Sequence, residues 1–431
     1  MDSEGVWIRG ARCIDPFTGL DGVHDLLVTP SGVQLDPPTV AKGVTTIDAK
    51  GLWAVPGLVD LQVHFRQPGF EYKETIASGS AAALAGGITT VVVMPNTRPA
   101  LDTPERVSFE AEESRRVDGI QLLVAAAATQ GIEGKELTDH GCLKGAGAVA
   151  ITDDGMPVMD DALMAGSLRQ CLEHDLMFMQ HAENLDMTGH APMTQSPVSE
   201  KLGIRGQPAD AEGVMVERDI ALVEQIGARY HVLHTTTARS IRAVRAAKAK
   251  GLPVSCEVSP HHLLLTYEAC SEADPNTKMN PPLRSETDRQ ALIAALADGT
   301  ADAVATDHAP HSAAEKGRGF VDAPFGVIGL ETAFSALMCF VHDGTISANR
   351  AVELMTAGPA RVLKMDGELG TFGAGSADVA LIDPEHEWTA QLSDFKGLSK
   401  NSAFIGRAFK GRVVATMMRG KLRYRFSAPS A

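Results

Sequence analysis

Val304-Ala305-Thr306 runs straight into Asp307-His308-Ala309-Pro310-His311, a short apolar stretch ending in polar residues able to do chemistry. This pattern decides the fold because it recurs. It appears as Leu58-Val59-Asp60 into His64-Phe65-Arg66, Val91-Val92-Val93 into Pro95-Asn96, Ala125-Ala126-Ala127 into Thr129-Gln130, and Val149-Ala150-Ile151 into Asp153-Asp154. It returns as Met177-Phe178-Met179 into His181-Glu183, Val232-Leu233 into His234-Thr235-Thr236, and Val254-Ser255-Cys256 into Ser259-His261-His262. Apolar runs without alternation suit strands buried on both faces of a parallel sheet. Most intervals between them read as helices: 73–85, ended by Gly86-Gly87, then 103–116, 160–174, 211–226, 238–249, 286–297 and 328–340, with 347–360 closing the segment. Eight strand–helix units predict an α/β fold, a (β/α)8 TIM barrel, whose active site lies where the strands end.

The chain ends have a different texture. Val6-Trp7-Ile8, Asp25-Leu26-Leu27-Val28 and Thr45-Thr46-Ile47 are short β-like runs punctuated by Gly and Pro. Asp378-Val379-Ala380-Leu381-Ile382 and Arg412-Val413-Val414-Ala415-Thr416 repeat it. Each end alone has too few strands to bury a face, so the two are expected to pair into one small β-sandwich. Its N-terminal part is 1–55, the barrel 56–364 and its C-terminal part 365–431. The polar, aperiodic stretch 187–208 suits a lid or a subunit contact.

The 431 residues suffice for a barrel plus a smaller module, and 39 basic against 54 acidic residues give a net charge of −15. That balance argues against nucleic acid or an anionic membrane as a general partner, while a local Arg could still hold a small anion. No apolar run reaches membrane-spanning length, and Met1-Asp2-Ser3-Glu4 does not read as a signal peptide. Six scattered cysteines without a C-x-x-C pair read as reduced thiols, which suits a cytoplasmic protein.

The strand ends hold the chemistry. Residues 62 and 64 share one side of an extended strand, so Gln62 and His64 can face one ion, and Arg66 follows on that side. Asp154, His181, His234 and Asp307 end four further strands, and imidazole with carboxylate is a typical Zn2+ ligand set. Any one of these is an ordinary polar strand terminus; their convergence over one barrel mouth points to a metal site for hydrolysis or its reverse. His261 and His262 suit either a supporting role beside the site or closure of the seventh strand. His24, His140, His342 and His386 fall outside the pattern and read as surface residues, and 316–319 reads as a flexible loop.

With these residues in view, the chain resembles the dihydroorotases of the amidohydrolase superfamily, in their bacterial class I group. Gln62-Val63-His64-Phe65-Arg66 is similar to the family's His-x-His-x-Arg opening, with Gln in the first place. Met94-Pro95-Asn96-Thr97, Thr152-Asp153-Asp154-Gly155, His181-Ala182-Glu183 and His234-Thr235-Thr236 match further family segments, as does 306–311. Ser259-Pro260-His261-His262, Asn280-Pro281-Pro282-Leu283-Arg284 and Ala323-Pro324-Phe325-Gly326 resemble segments around the substrate. The resemblance implies zinc-dependent, reversible cyclisation of N-carbamoyl-L-aspartate to L-dihydroorotate in pyrimidine synthesis. It implies His64, Asp154, His181, His234 and Asp307 as metal ligands, one or two Zn2+ ions, and Asp307 as the catalytic proton carrier. Arg66, Asn96, His311, Asn280, Pro324 and Gly326 would bind substrate. It further implies a homo-oligomer.

Two departures matter. A Gln amide is a poor, neutral zinc ligand beside imidazole, so the metal position next to Gln62 is weakened. The run 147–154 holds no Lys, unlike the carboxylated lysine of hydantoinase-like relatives, which leaves Asp154 as the bridging residue. The Gln also admits a different class of function: a catalytically silent dihydroorotase-like subunit that scaffolds aspartate carbamoyltransferase. Against it stands the cost of keeping mutually repelling buried carboxylates without a cation. A hydantoin- or allantoin-cleaving enzyme is the third reading, and the carboxylate-binding set Arg66, Asn96 and His311 argues against it.

Overall fold

A computed structural model describes residues 5–373 and 375–427. Strands β1 (Val6–Asp15), β2 (Leu20–Thr29), β3 (Gly32–Leu35), β4 (Thr45–Asp48) and β5 (Trp53–Pro56) open the chain. Barrel strands β6 (Leu58–Val63), β7 (Ile88–Val93), β8 (Gln121–Ala127), β9 (Ala148–Thr152) and β10 (Met177–Gln180) follow. After the short pair β11 (Met193–Thr194) and β12 (Gly206–Gln207) come β13 (Tyr230–Val232), β14 (Val254–Val258) and β15 (Ala303–Val304). The strands β16 (Val379–Thr389), β17 (Ala408–Met418) and β18 (Lys421–Arg425) close the chain.

Eight strands from β6 to β15 pair in sequence order, all in parallel. The ring closes where Val63 bridges His308 and the His64 amide donates to the His308 carbonyl at 2.8 Å. Buried Asp60 reinforces the seam by accepting from the Thr306 amide at 3.0 Å and hydroxyl at 2.6 Å. The expected TIM barrel is therefore present. So is the β-module, in which β16 from the C-terminal end pairs antiparallel with β5 from the N-terminal end, around Ile8, Leu26, Val379 and Leu381.

Strand periodicity explains how the barrel delivers ligands to its mouth. Side chains alternate across a strand, so Met177 and Met179 share a side with His181, Ala303 and Ala305 with Asp307, and Ala150 with Asp154. The apolar members of these sets form one buried core. The next residue on the same side, just past each strand, is the polar one. Outward-facing Phe178, Ile151 and Val304 instead join the large core under the helices. Asp153 has the opposite phase to Asp154 and turns away, accepting from the Thr129 amide at 3.0 Å.

Several expected boundaries shift for local reasons. The first barrel helix begins at Ile76, because Thr75 and Ser78 form a capping box there. The last expected helix divides into Ala348–Glu353 and Ala357–Leu363, which places Pro359 in a first turn, where it is tolerated. The 187–208 stretch, expected as a lid or subunit contact, carries β11, β12 and a helix at Pro197–Leu202. Its Met193 and Val198 are buried against Met279, Leu283 and Phe320, so it is a packed part of the barrel rim. His140, expected at the surface, is fully buried between Thr138 and Ser167. Lys316, expected in a flexible loop, is buried, with its ammonium donating to the carbonyls of Pro275, Lys278 and Pro324.

Candidate metal and substrate site

Asp154, His181 and His234 each offer a ligand atom, all within 4.8 Å of one another and all buried. His181 Nδ1 lies 2.9 Å from His234 Nε2, and the Asp154 Oδ1 atom lies 3.2 Å and 3.4 Å from those two nitrogens. Three ligands at about 2.0–2.1 Å from a tetrahedral ion stand roughly 3.3–3.4 Å apart; the two Asp154 separations are close to this, and the imidazole pair at 2.9 Å stands nearer together. The orientation of His181 fits as well. Its Nε2 faces Glu183 Oε2 at 3.1 Å, which fixes the proton on that nitrogen and leaves Nδ1 for an ion, as metal-binding histidines are usually held.

The electrostatics agree with the geometry. Burial works against a charge on His181, but hydrogen bonds to Asp154 and Glu183 outweigh it and push the imidazole up to about 10. Burial likewise opposes charge on Asp154, yet the hydrogen bonds to His181 and His234 and the charge of His64 hold it well below the usual carboxylate range. Carboxylates that stabilise a proton this strongly would also stabilise a cation in its place.

The other side of Asp154 is built differently. Its Oδ2 lies 3.3 Å from His64 Nε2 and accepts from Gln62 Nε2 at 3.0 Å, while Gln62 Oε1 is buried without a partner. His64 Nε2 is 3.0 Å from Asp307 Oδ1, and its Nδ1 is 2.9 Å from Asn96 Oδ1. Asp307 thus meets His64 rather than the compact trio. His234 and Asp307 hold left-handed backbone at φ 29° and 48°, a strained conformation for residues with a Cβ that is common where function fixes a side chain.

A cavity of about 400 Å³ opens over these groups, lined by His64, Arg66, Asn96, Asp154, His181, Asn280, Asp307, His311, Pro324 and Gly326, with Ile132, Met156 and Phe325 adding apolar wall. All the site residues expected from sequence meet here except His234, which lies beneath as part of the trio. Burial pushes the Arg66 guanidinium down to about 10 against the support of Asp307 and Asp154, so it stays charged at neutral pH. Burial, Arg66, Lys73 and Lys316 keep His311 neutral. Its Nε2 therefore donates to the Phe325 carbonyl at 2.7 Å, and its Nδ1 accepts from Lys73 Nζ at 3.3 Å. A larger cleft of about 790 Å³ shares His311 but lacks the carboxylate–imidazole cluster, and the smaller cavity is the chemical one.

His261 and His262 are buried on Ser259, and the His262 Nε2 faces the Pro281 carbonyl at 2.9 Å, so both support the wall and neither lines the cavity. Glu183 is the residue whose role the sequence reading left open. It accepts from Asn280 Nδ2 at 2.8 Å and from the Thr188 hydroxyl at 2.5 Å besides meeting His181. Its only sequence signal was its place two residues after a strand-end histidine.

The chain is similar to known proteins in sequence and in fold. A dihydro-orotase-like family model matches residues 51–240. A dihydroorotase of Anaeromyxobacter dehalogenans strain 2CP-1 is 43% identical over 428 residues, covering 97% of this chain and 98% of the relative. One from Citrifermentans bemidjiense is 42% identical, covering 97% and 99%. Among solved structures, an L-hydantoinase (dihydropyrimidinase) from Arthrobacter aurescens is similar at a TM-score of 0.85 and 25% identity, covering 97% of this chain and 96% of that one. A D-hydantoinase reaches 0.83 at 25% identity, covering 97% and 94%. Identity at this level along nearly the whole of both sequences is a family relationship: the chain belongs to the dihydroorotases and is a hydrolase.

Proposed function

We propose that this chain is a cytoplasmic dihydroorotase that interconverts N-carbamoyl-L-aspartate and L-dihydroorotate for de novo pyrimidine synthesis, with zinc held by Asp154, His181 and His234. One observation carries the reading. A buried guanidinium, Arg66, shares a cavity with a three-ligand cation site, as a substrate with both a carboxylate and a cyclic amide requires. A bound divalent cation would supply Lewis-acid polarisation and a lowered pKa for water. Arg66 holds the substrate carboxylate by charge-assisted hydrogen bonds, with Asn96 and His311 beside it. Asp307 accepts a proton at its carboxylate from the attacking water and returns it to the leaving ring nitrogen; His64, at 3.0 Å, orients that carboxylate. In the opposite direction Asp307 removes the proton from the ureido nitrogen. Pro324, Gly326 and Asn280 line the ring side of the cavity.

The test is dihydroorotate hydrolysis by the purified chain, with zinc measured on the same sample. Turnover with bound zinc supports the proposal; no turnover with zinc supplied refutes it. A second reading, the silent scaffold for aspartate carbamoyltransferase, draws on the Gln62–Asp154 hydrogen bond, which partners a ligand carboxylate without a metal. It requires an inactive chain that co-elutes with the carbamoyltransferase.

A further inference from the structure

The C-terminal part of the chain sends one segment back over the barrel mouth. Phe395 and Phe404 bury their rings in a cluster with Ile328 and Phe409 and so anchor both ends of the segment. Between them, the Lys396 amide donates to Glu331 Oε1 at 2.7 Å, the Leu398 amide to Glu74 Oε1 at 3.1 Å, and the Ser399 hydroxyl to the Lys73 carbonyl at 2.8 Å. These bonds leave Asn401 buried under the cavity wall.

Three of the four hydrogen-bonding directions of the Asn401 amide are used on two cavity-lining loops. Its Oδ1 accepts from the His311 amide at 3.0 Å, and its Nδ2 donates to the carbonyls of Ala309 and Gly326, each at 3.1 Å. Its own carbonyl accepts from the Ile328 amide at 3.1 Å. The two loops meet with no slack. A Cβ on Gly326, whose φ is +124°, would lie 2.6 Å from Ala309 Cβ and 3.3 Å from His311 Nε2. The Asn401 amide thus ties the backbones that carry His311 and Gly326 together, beside the direct His311 Nε2–Phe325 carbonyl bond at 2.7 Å and the Ala309 amide–Val327 carbonyl bond at 2.8 Å.

We infer that Asn401 is a positioning residue for the carboxylate end of the substrate. It acts through His311 and Gly326, which rests on the proposed dihydroorotase reading. It touches neither Asp307 nor the cation trio, so its loss should weaken ground state and transition state alike, the pattern of uniform binding.

The experiment compares wild type, Asn401→Ala and Asn401→Asp, with zinc content and melting temperature as controls. Asp keeps the acceptor for the His311 amide but turns a second oxygen toward the two carbonyls. With zinc content unchanged, Asn401→Ala and Asn401→Asp should each raise KM for dihydroorotate about tenfold or more while kcat changes less than about threefold. A merely structural role would lower the melting temperature or the active fraction and leave KM alone. An unchanged KM in a folded variant of an active enzyme overturns the inference and spares the proposed function. If Asn401→Ala does not fold, the KM of Asn401→Asp decides. An inactive wild-type chain overturns the proposed function and this inference with it.

Discussion

Gln62 Nε2 donates to Asp154 Oδ2 at 3.0 Å, on the face of that carboxylate turned away from His181 and His234. The opposite amide orientation would set oxygen against oxygen, so the N–H is the group that points at Asp154. An N–H there occupies a lone pair that a second cation would need, and the remaining carboxamide oxygen is a weak ligand. The chain should therefore retain about one zinc after dialysis, and Gln62→His, which supplies an imidazole, should raise this to about two. Elemental analysis of the two proteins checks it; two tightly held ions in the wild type would refute the argument.

Asp307 shares its Oδ1 with His64 Nε2 and stands outside the compact trio. As the proton carrier it is needed for turnover and much less for holding the ion. Asp307→Asn should lower kcat by about 10²- to 10⁴-fold, the usual contribution of a positioned acid–base group, with zinc content and melting temperature near wild type. Turnover within a few-fold of wild type in that variant would remove Asp307 from the mechanism.

Glu183 acts on His181 from behind. Burial opposes its charge, but the hydrogen bond and charge of His181, with Thr188 and Asn280, hold its carboxyl down at about 2. It stays ionised and fixes the tautomer that exposes His181 Nδ1. Glu183→Ala should weaken zinc binding about 10- to 100-fold, and Glu183→Gln, which keeps an acceptor oxygen, by less. Competition with a chelator measures both, and unaltered zinc affinity in Glu183→Ala would show that the carboxylate orients nothing.

The barrel and most of its mouth were legible because strand periodicity is local. Met177, Met179 and His181 are read as one face without knowing any other strand, and eight such readings assemble themselves. What stayed hidden depends on contacts distant in sequence. Asn401 lies 90 residues beyond His311, in a stretch with no strand or helix pattern to give it a direction. Lys316, beside Gly317, Arg318 and Gly319, reads as part of a flexible loop, yet three backbone carbonyls converge on its ammonium. His140 sits between Asp139 and Gly141 in a polar neighbourhood, and only the packing of its short helix against Ser167 turns it inward.

That buried His140 ties stability to pH. Burial, with the neighbouring charge of His174, pushes its imidazole down to about 4, whereas in the unfolded chain it titrates near 6.5. Between those values the unfolded state binds more protons than the folded one, so stability rises with pH there. The contribution is fully present above about pH 6.5 and is lost as pH falls through about 4, by up to roughly 3 kcal/mol. Glutamine can bond to Thr138 and Ser167 without titrating. His140→Gln should start from a lower melting temperature at pH 7.5 because the fit is poorer, and then lose less than wild type between pH 6.5 and 4. The difference between the two proteins is the readout, since acid release of metal and titration of the other buried histidines are common to both and cancel. Parallel melting curves across that range would mean that His140 is protonated in the folded protein as easily as in the unfolded chain, and that its burial carries no electrostatic cost.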